Sequence, residues 1–106
     1  MTGSIDVETL YEKLTSKKDS SFIVVDVRTE SEWNDLHIND KRVVNIETQH
    51  LINNRSIFND KTLYVICASG MRSSFACTVL TNIGLSPINV SGGMGSWLYK
   101  NLPLSL

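Results

Sequence analysis

The sequence contains no hydrophobic run that approaches the ~18 consecutive apolar residues of a membrane helix. Its first ten residues, MTGSIDVETL, also lack the basic segment and following apolar segment of a secretory signal. We therefore expect a cytoplasmic protein with no membrane partner.

Cysteine is scarce, since the chain has only Cys67 and Cys77. Two cysteines make a poor disulfide framework for a chain of 106 residues. In a reducing compartment, a thiol more often serves in packing or in reactivity. Each cysteine must therefore be interpreted from the residues around it.

A surplus of positive charge is also absent, because the formal net charge is -1. Nucleic-acid binders usually carry a clear basic surplus, so we expect no nucleic-acid partner. All eleven acidic residues lie at or before Asp60, which leaves the part containing Cys67 mildly electropositive. This gradient would favour a thiolate and an anionic ligand, although chance placement of surface charge explains it equally well.

The chain has no repeat, no low-complexity tract and no flexible linker, and its two prolines mark no domain boundary. Hydrophobic residues make up 42% and charged residues 20%, as in ordinary soluble proteins. At this length, we expect residues 1–106 to form a single domain.

The spacing of apolar residues alternates between the patterns of helices and strands. The predicted helices are residues 7–16 capped by Asp6, a short helix opened by a capping box of Thr29 and Glu32, residues 48–53, residues 73–83, and a closing helix within residues 92–100. The predicted strands are residues 22–27, 43–46, 62–67 and 88–90. This alternation indicates an α/β fold, with a mainly parallel sheet and helices on both faces.

Five apolar side chains of two predicted helices are expected to face the interior. They are Trp33, Leu36, Met94, Trp97 and Leu98. Their burial would hold these helices against the sheet.

Cys67 ends the predicted strand 62–67, at the sheet edge where ligands gather in parallel sheets. Residues 68–72 are mostly small and must turn the chain into a helix within a few steps. Such a turn aims backbone N–H groups at one point and would lower the pKa of Cys67, with Arg72 acting in the same direction. Cys67 is therefore a candidate nucleophile, and the alternative is a small buried hydrophobic residue.

Cys77 lies inside the predicted helix 73–83 among apolar residues, which favours packing over a redox partnership with Cys67. His37 and His50 have no second ligand at metal-binding spacing, so we expect no metal site. No histidine is tied to Cys67 by a catalytic-triad pattern. A thiolate that acts without an acid–base partner suits the transfer of a single group.

Four segments follow one another along the chain: DVRTESEW (26–33), HI (37–38), CASGMRS (67–73), and SGGMGSW with LP (91–97 and 102–103). They resemble the motifs of single-domain rhodaneses, which are sulfurtransferases. The resemblance covers nearly the whole chain and implies a mainly parallel central sheet of about five strands.

The resemblance implies a persulfide relay through Cys67 as the catalytic residue. The substrate-binding residues that it implies are Ala68, Ser69, Gly70, Met71, Arg72 and Ser73. Arg72 would attract an anionic donor, and Ser73 would cap the helix and contribute a donor. The donor would be thiosulfate or a persulfide, and the acceptor a thiol or cyanide, with a protein persulfide as a further partner and no cofactor.

The chain departs from the family pattern at several positions. Leu36, Asn39 and Asn101 replace residues of turns, which affects loop shape. Ala68 replaces a frequent arginine after the nucleophile and removes a positive charge, which puts efficient use of thiosulfate in question.

Two other functions remain open from the sequence. Dual-specificity phosphatases place five residues between cysteine and arginine, whereas four separate Cys67 from Arg72, which leaves little room for a phosphate. Rhodanese-like domains also serve as non-catalytic binding modules, often without the cysteine that is present here.

Overall fold

The computed structural model describes residues 3–58 and 60–106. Its strands are β1 (Gly3–Ile5), β2 (Phe22–Asp26), β3 (Val43–Asn45), β4 (Thr62–Ile66) and β5 (Ile88–Val90). Its helices are α1 (Val7–Thr15), α2 (Glu30–Asp35), α3 (Thr48–Asn53), α4 (Met71–Asn82) and α5 (Gly93–Tyr99), with a 3-10 helix at Arg55–Phe58.

The five strands form one sheet in the order β1-β5-β4-β2-β3, and every neighbouring pair is parallel. The central strands β2 and β4 pair from Phe22 opposite Thr62 to Asp26 opposite Ile66. Their carboxyl ends are therefore level with each other. The predicted α/β fold with a parallel five-stranded sheet is confirmed.

Alternate residues of the central strands face opposite sides of the sheet, as the strand period of two requires. Val24, Tyr64 and Ile66 pack in a core that includes residues of α1 and α5. Val25 and Val65 pack in a second core with residues of α3 and α4. Helices thus cover both faces, as predicted.

Both side-chain caps predicted from the sequence are confirmed. Asp6 Oδ1 accepts the N–H of Thr9 at 2.8 Å, which starts α1 at Val7. At α2, Thr29 Oγ1 accepts the N–H of Glu32 at 3.2 Å, and Glu32 Oε1 accepts the N–H of Thr29 at 3.0 Å. Each cap satisfies N–H groups that have no partner within the helix.

Strand β1 was not expected from the sequence. It has only three residues, and its alignment of Gly3 with Ile88 depends on the distant strand β5. Gly3 and Ser4 are exposed, so the segment has no apolar pattern of its own. This strand is defined by its tertiary pairing.

The prediction that Leu98 faces the interior is wrong, because its side chain is 42% exposed. Met94 and Trp97 occupy the inward face of α5, and the next residue along a helix points about 100° away from Trp97. Trp33 and Leu36 are only partly buried, although both pack against the core that contains α1.

The longest helix of the described residues, α4, has 12 residues. Within residues 3–58 and 60–106, no helix combines the length and hydrophobicity that crossing a membrane requires.

Candidate active site

The level ends of β2 and β4 bring two loops together at one edge of the sheet. The N–H of Val27 donates to the carbonyl of Ile66 at 2.9 Å, so the chain leaves both strands side by side. Cys67 follows directly after β4. It stands at the edge where parallel sheets bind ligands.

The sulfur of Cys67 is surrounded by hydrogen-bond donors from the following residues. It accepts the N–H of Gly70 at 3.1 Å and the N–H of Ser73 at 3.3 Å, and the hydroxyl of Ser73 lies 3.3 Å away. Gly70 has φ of 100°, a left-handed conformation that suits glycine and turns the chain into α4. The predicted cradle of amides around the sulfur is confirmed.

These donors determine the acidity of the Cys67 thiol. Burial raises its pKa, since an apolar environment disfavours the thiolate. The hydroxyl of Ser73 and the N–H groups of Ser73, Gly70 and Ser69 outweigh burial, and the pKa falls below its ordinary value of 9.0. A lowered pKa makes the thiolate available as a nucleophile.

Ser73 does not cap α4, contrary to the prediction. Gly70 is the N-cap, and Ser73 is the third residue of the helix. Its side chain is fully buried, and its hydroxyl lies 3.2 Å from the carbonyl of Gly70 and 3.3 Å from the Cys67 sulfur, so its single proton can be donated to the sulfur when the thiol ionises. The helix starts two residues earlier than expected because a left-handed glycine can begin it without a side-chain cap.

The remaining loop residues differ in exposure. Ala68 is partly buried, Ser69 is exposed, and the side chain of Met71 is 77% exposed. Cys67 itself has 0% exposure. The sulfur therefore lies beneath the loop.

Arg72 makes an ion pair that sequence reasoning missed. Its two terminal nitrogens donate to the two carboxylate oxygens of Glu32 at 2.7 and 2.9 Å. The hydrogen bonds from Arg72 and then from the N–H of Thr29 lower the pKa of Glu32 to about 2. The capping box was the available signal, since it fixes where the Glu32 carboxylate lies.

A second contact missed from the sequence joins the loop to α5. The N–H of Met94 donates to the carbonyl of Cys67 at 2.8 Å, and the N–H of Gly95 donates to the carbonyl of Ala68 at 2.9 Å. A Cβ on Gly93 would overlap the Cys67 carbonyl oxygen. The glycines of the SGGMGSW segment were a signal that backbones approach closely here.

Cys77 is a buried free thiol in the same core as Cys67. Burial, with a smaller contribution from the charge of Cys67, raises the pKa of Cys77 to about 12. The prediction that Cys77 packs against the sheet is confirmed. Its raised pKa makes it a poor nucleophile.

A recess of about 290 Å³ lies beside the loop, with Arg72, Glu47 and His50 among its lining residues. Across the described residues, no histidine hydrogen-bonds to Cys67, and no cluster of three metal-ligating side chains occurs. The site presents one activated sulfur, a ring of amide donors, and an adjoining recess.

The sequence model of the Rhodanese-like domain family matches residues 6–100. The chain belongs to this family. Among its relatives is a sulfurtransferase of Allochromatium vinosum, 33% identical over 107 residues that cover 98% of this chain and 95% of the relative.

Solved rhodanese-like structures share the fold over almost the whole chain. A rhodanese-related protein from Thermoplasma volcanium superposes with a TM-score of 0.79 at 32% identity, covering 95% of both chains. A rhodanese-like domain protein from Staphylococcus aureus gives a TM-score of 0.78 at 32% identity, covering 91% of both chains. The sequence resemblance to rhodaneses is thus confirmed for family and fold.

Proposed function

We propose that this protein is a sulfurtransferase that carries a sulfane sulfur on Cys67. The observation that carries the proposal is the ring of donors around the Cys67 sulfur, with Gly70 N–H at 3.1 Å and Ser73 N–H at 3.3 Å. Donors arranged in this way stabilise a thiolate, and they equally stabilise the anion of a persulfide. The sulfurtransferase relative supports the same activity.

In the first half-reaction, the Cys67 thiolate attacks the sulfane sulfur of the donor. The new S–S bond forms as the donor's bond to that sulfur breaks, so thiosulfate leaves as sulfite and a persulfide leaves as a thiolate. The electron pair departs with the leaving group. Cys67 then holds one extra sulfur as Cys–S–S⁻.

In the second half-reaction, an acceptor attacks the outer sulfur. A thiolate acceptor becomes a persulfide, cyanide becomes thiocyanate, and Cys67 returns as the thiolate. We assign the extra sulfur to the loop formed by Ala68, Ser69, Gly70, Met71, Arg72 and Ser73. A protein thiol or persulfide is a further partner, and the reducing cytoplasm, where both free cysteines stay reduced, is the proposed compartment.

Intact-mass analysis after incubation with thiosulfate or a small persulfide tests the proposal. The expected result is one added sulfur on the wild type and on Cys77→Ala, and none on Cys67→Ala. Addition of cyanide or a thiol should then remove that sulfur. Cys77→Ala is the matched control, because it removes the other buried thiol from the same core.

An unmodified wild-type protein with both donors would contradict the proposal. In that case, tight binding of a partner protein would support a non-catalytic module. Hydrolysis of an aryl phosphate without any sulfur adduct would support a phosphatase.

A further inference from the structure

The two arginines that flank the site are both engaged by carboxylates. Arg28 donates from Nη2 to Asp26 at 2.8 Å, and this pair is buried. Arg72 is held by Glu32 through two bonds at 2.7 and 2.9 Å. The charge of each guanidinium is therefore already paired with a carboxylate.

The recess beside the loop adds further negative charge. Its lining includes Glu47 together with Arg72. With Glu32 bound to Arg72, two carboxylates stand near one guanidinium.

The carboxylate of Glu32 is fixed in position by several bonds. Its Oε1 atom also accepts the N–H of Thr29 at 3.0 Å and the hydroxyl of Thr29 at 3.1 Å. The capping box at the start of α2 thus holds the carboxylate where it meets Arg72. The fold therefore holds a negative charge next to the guanidinium of Arg72.

From these contacts we infer that the preferred sulfur donor is a persulfide carrying at most one negative charge, and that Glu32 sets this preference against dianions such as thiosulfate. The inference rests on the proposed sulfur transfer. A dianion that approaches an anionic thiolate is repelled twice as strongly as a monoanion. A free cation at the entrance would offset that repulsion, but Glu32 already neutralises Arg72, and Ala68 adds no charge.

The rate of Cys67 loading under single-turnover conditions tests this preference. The two donors are thiosulfate and N-acetylcysteamine persulfide, whose only ionisable group is the persulfide itself. The wild type should load faster from the persulfide, and its loading by thiosulfate should accelerate as salt screens the repulsion.

Glu32→Gln should raise the ratio of thiosulfate to persulfide loading about fivefold, because a freed charge acts twice as strongly on a dianion. Salt should accelerate the loading of Glu32→Gln by thiosulfate less than it accelerates that of the wild type. Glutamine preserves the capping box, so α2 is retained. The substitution therefore changes the charge with little change in shape.

Glu47→Gln is a second variant that does not depend on the capping box. The Glu47 side chain makes no cap hydrogen bond to α3, so its replacement leaves the helix start intact. It should shift the ratio in the same direction as Glu32→Gln. Glu8→Gln is the control, because it makes the same charge change at the exposed Glu8–Lys100 pair, whose nitrogen and oxygen also lie 2.7 Å apart.

The outcomes separate the two hypotheses. If neither donor loads Cys67 in the wild type, the proposed function itself fails. If both donors load the wild type but Glu32→Gln and Glu47→Gln leave the ratio unchanged, sulfur transfer stands and the charge preference is overturned. An equal shift of the loading ratio in Glu8→Gln would also overturn the charge preference. The cause would then be the net charge of the protein and not the position of Glu32.

Discussion

Gly93 lies against the main chain of Cys67 so closely that any side chain at residue 93 would overlap the Cys67 carbonyl oxygen. The N–H of the next residue, Met94, donates to that same oxygen at 2.8 Å. The start of α5 therefore supports the backbone on which the candidate nucleophile is carried.

Gly93→Ala should lower the free energy of unfolding by about 3 kcal/mol, because a methyl group cannot avoid a backbone oxygen by rotating. Urea unfolding measures the loss. Gly84→Ala is the control, since Gly84 also has positive φ, at 101°, but has no atom within 4 Å of an added Cβ. That control should lose about 1 kcal/mol from backbone strain alone. Equal losses in the two variants would show that the close approach to Cys67 is unimportant.

Ser73→Ala should raise the pKa of the Cys67 thiol by about one unit, because the thiolate loses a hydrogen bond from a hydroxyl 3.3 Å away. The rate of alkylation by iodoacetamide, followed against pH, should shift to higher pH by the same amount. Ser74→Ala, at the exposed neighbouring position, should leave the profile unchanged. A Ser73→Ala profile that overlays that of the wild type would show that the hydroxyl does not lower the pKa of the Cys67 thiol.

The raised pKa of Cys77 predicts a loss of stability in alkali. In the folded protein the thiol keeps its proton up to about pH 12, whereas in the unfolded chain it ionises near its ordinary value of 9.0. The unfolded state therefore binds fewer protons above pH 9, and stability should fall there by about 1.4 kcal/mol per pH unit. Below pH 9 this contribution to stability is fully present.

Urea unfolding at about pH 10 and about pH 11 measures that slope. Cys77→Ala should lack this part of the alkaline loss. The smaller alanine side chain also changes the free energy of unfolding, but by the same amount at both pH values. Cys67 adds little slope above pH 9, because its lowered pKa leaves it ionised in both states there. The same alkaline slope in Cys77→Ala would disprove the assignment.

Arg28→Ala should destabilise the fold by about 3 kcal/mol, because it leaves the buried Asp26 carboxylate without its guanidinium. The same arginine also donates to the carbonyl of Leu36 at 2.8 Å and thereby ties the end of α2 to β2. Lys100→Ala breaks the exposed pair with Glu8 and should change stability far less. Urea unfolding measures both losses. Similar losses would mean that the buried Asp26–Arg28 pair contributes no more to the free energy of unfolding than the exposed Glu8–Lys100 pair.

Local patterns predicted most elements of the fold because their causes are local. The two N-terminal caps fixed the starts of α1 and α2, and apolar runs identified β2 and β4. Strand β1 escaped prediction because its three residues become a strand only by pairing with β5. Leu98 was misplaced because α5 is short, and Met94 and Trp97 fill its inward face.

In the candidate site as well, the features with local causes were predicted and those that depend on tertiary contacts were not. The strand-end position of Cys67 and the glycine after it predicted the ring of amides, since these depend on neighbours in the chain. The bond between Arg72 and Glu32 joins residues 40 positions apart, so the capping box indicated where the carboxylate lies but not that Arg72 would meet it. The contact of Gly93 with Cys67 likewise depends on how α5 docks.

Each trans peptide unit points its carbonyl and its N–H in opposite directions. The carbonyl of Ala68 is turned toward α5 by its bond to Gly95, so the N–H of Ser69, in the same peptide plane, is turned the other way, toward the sulfur. The final helix therefore acts on the thiol without touching it. The acidity of the Cys67 thiol therefore depends in part on how α5, the last helix of the described residues, docks beside the loop.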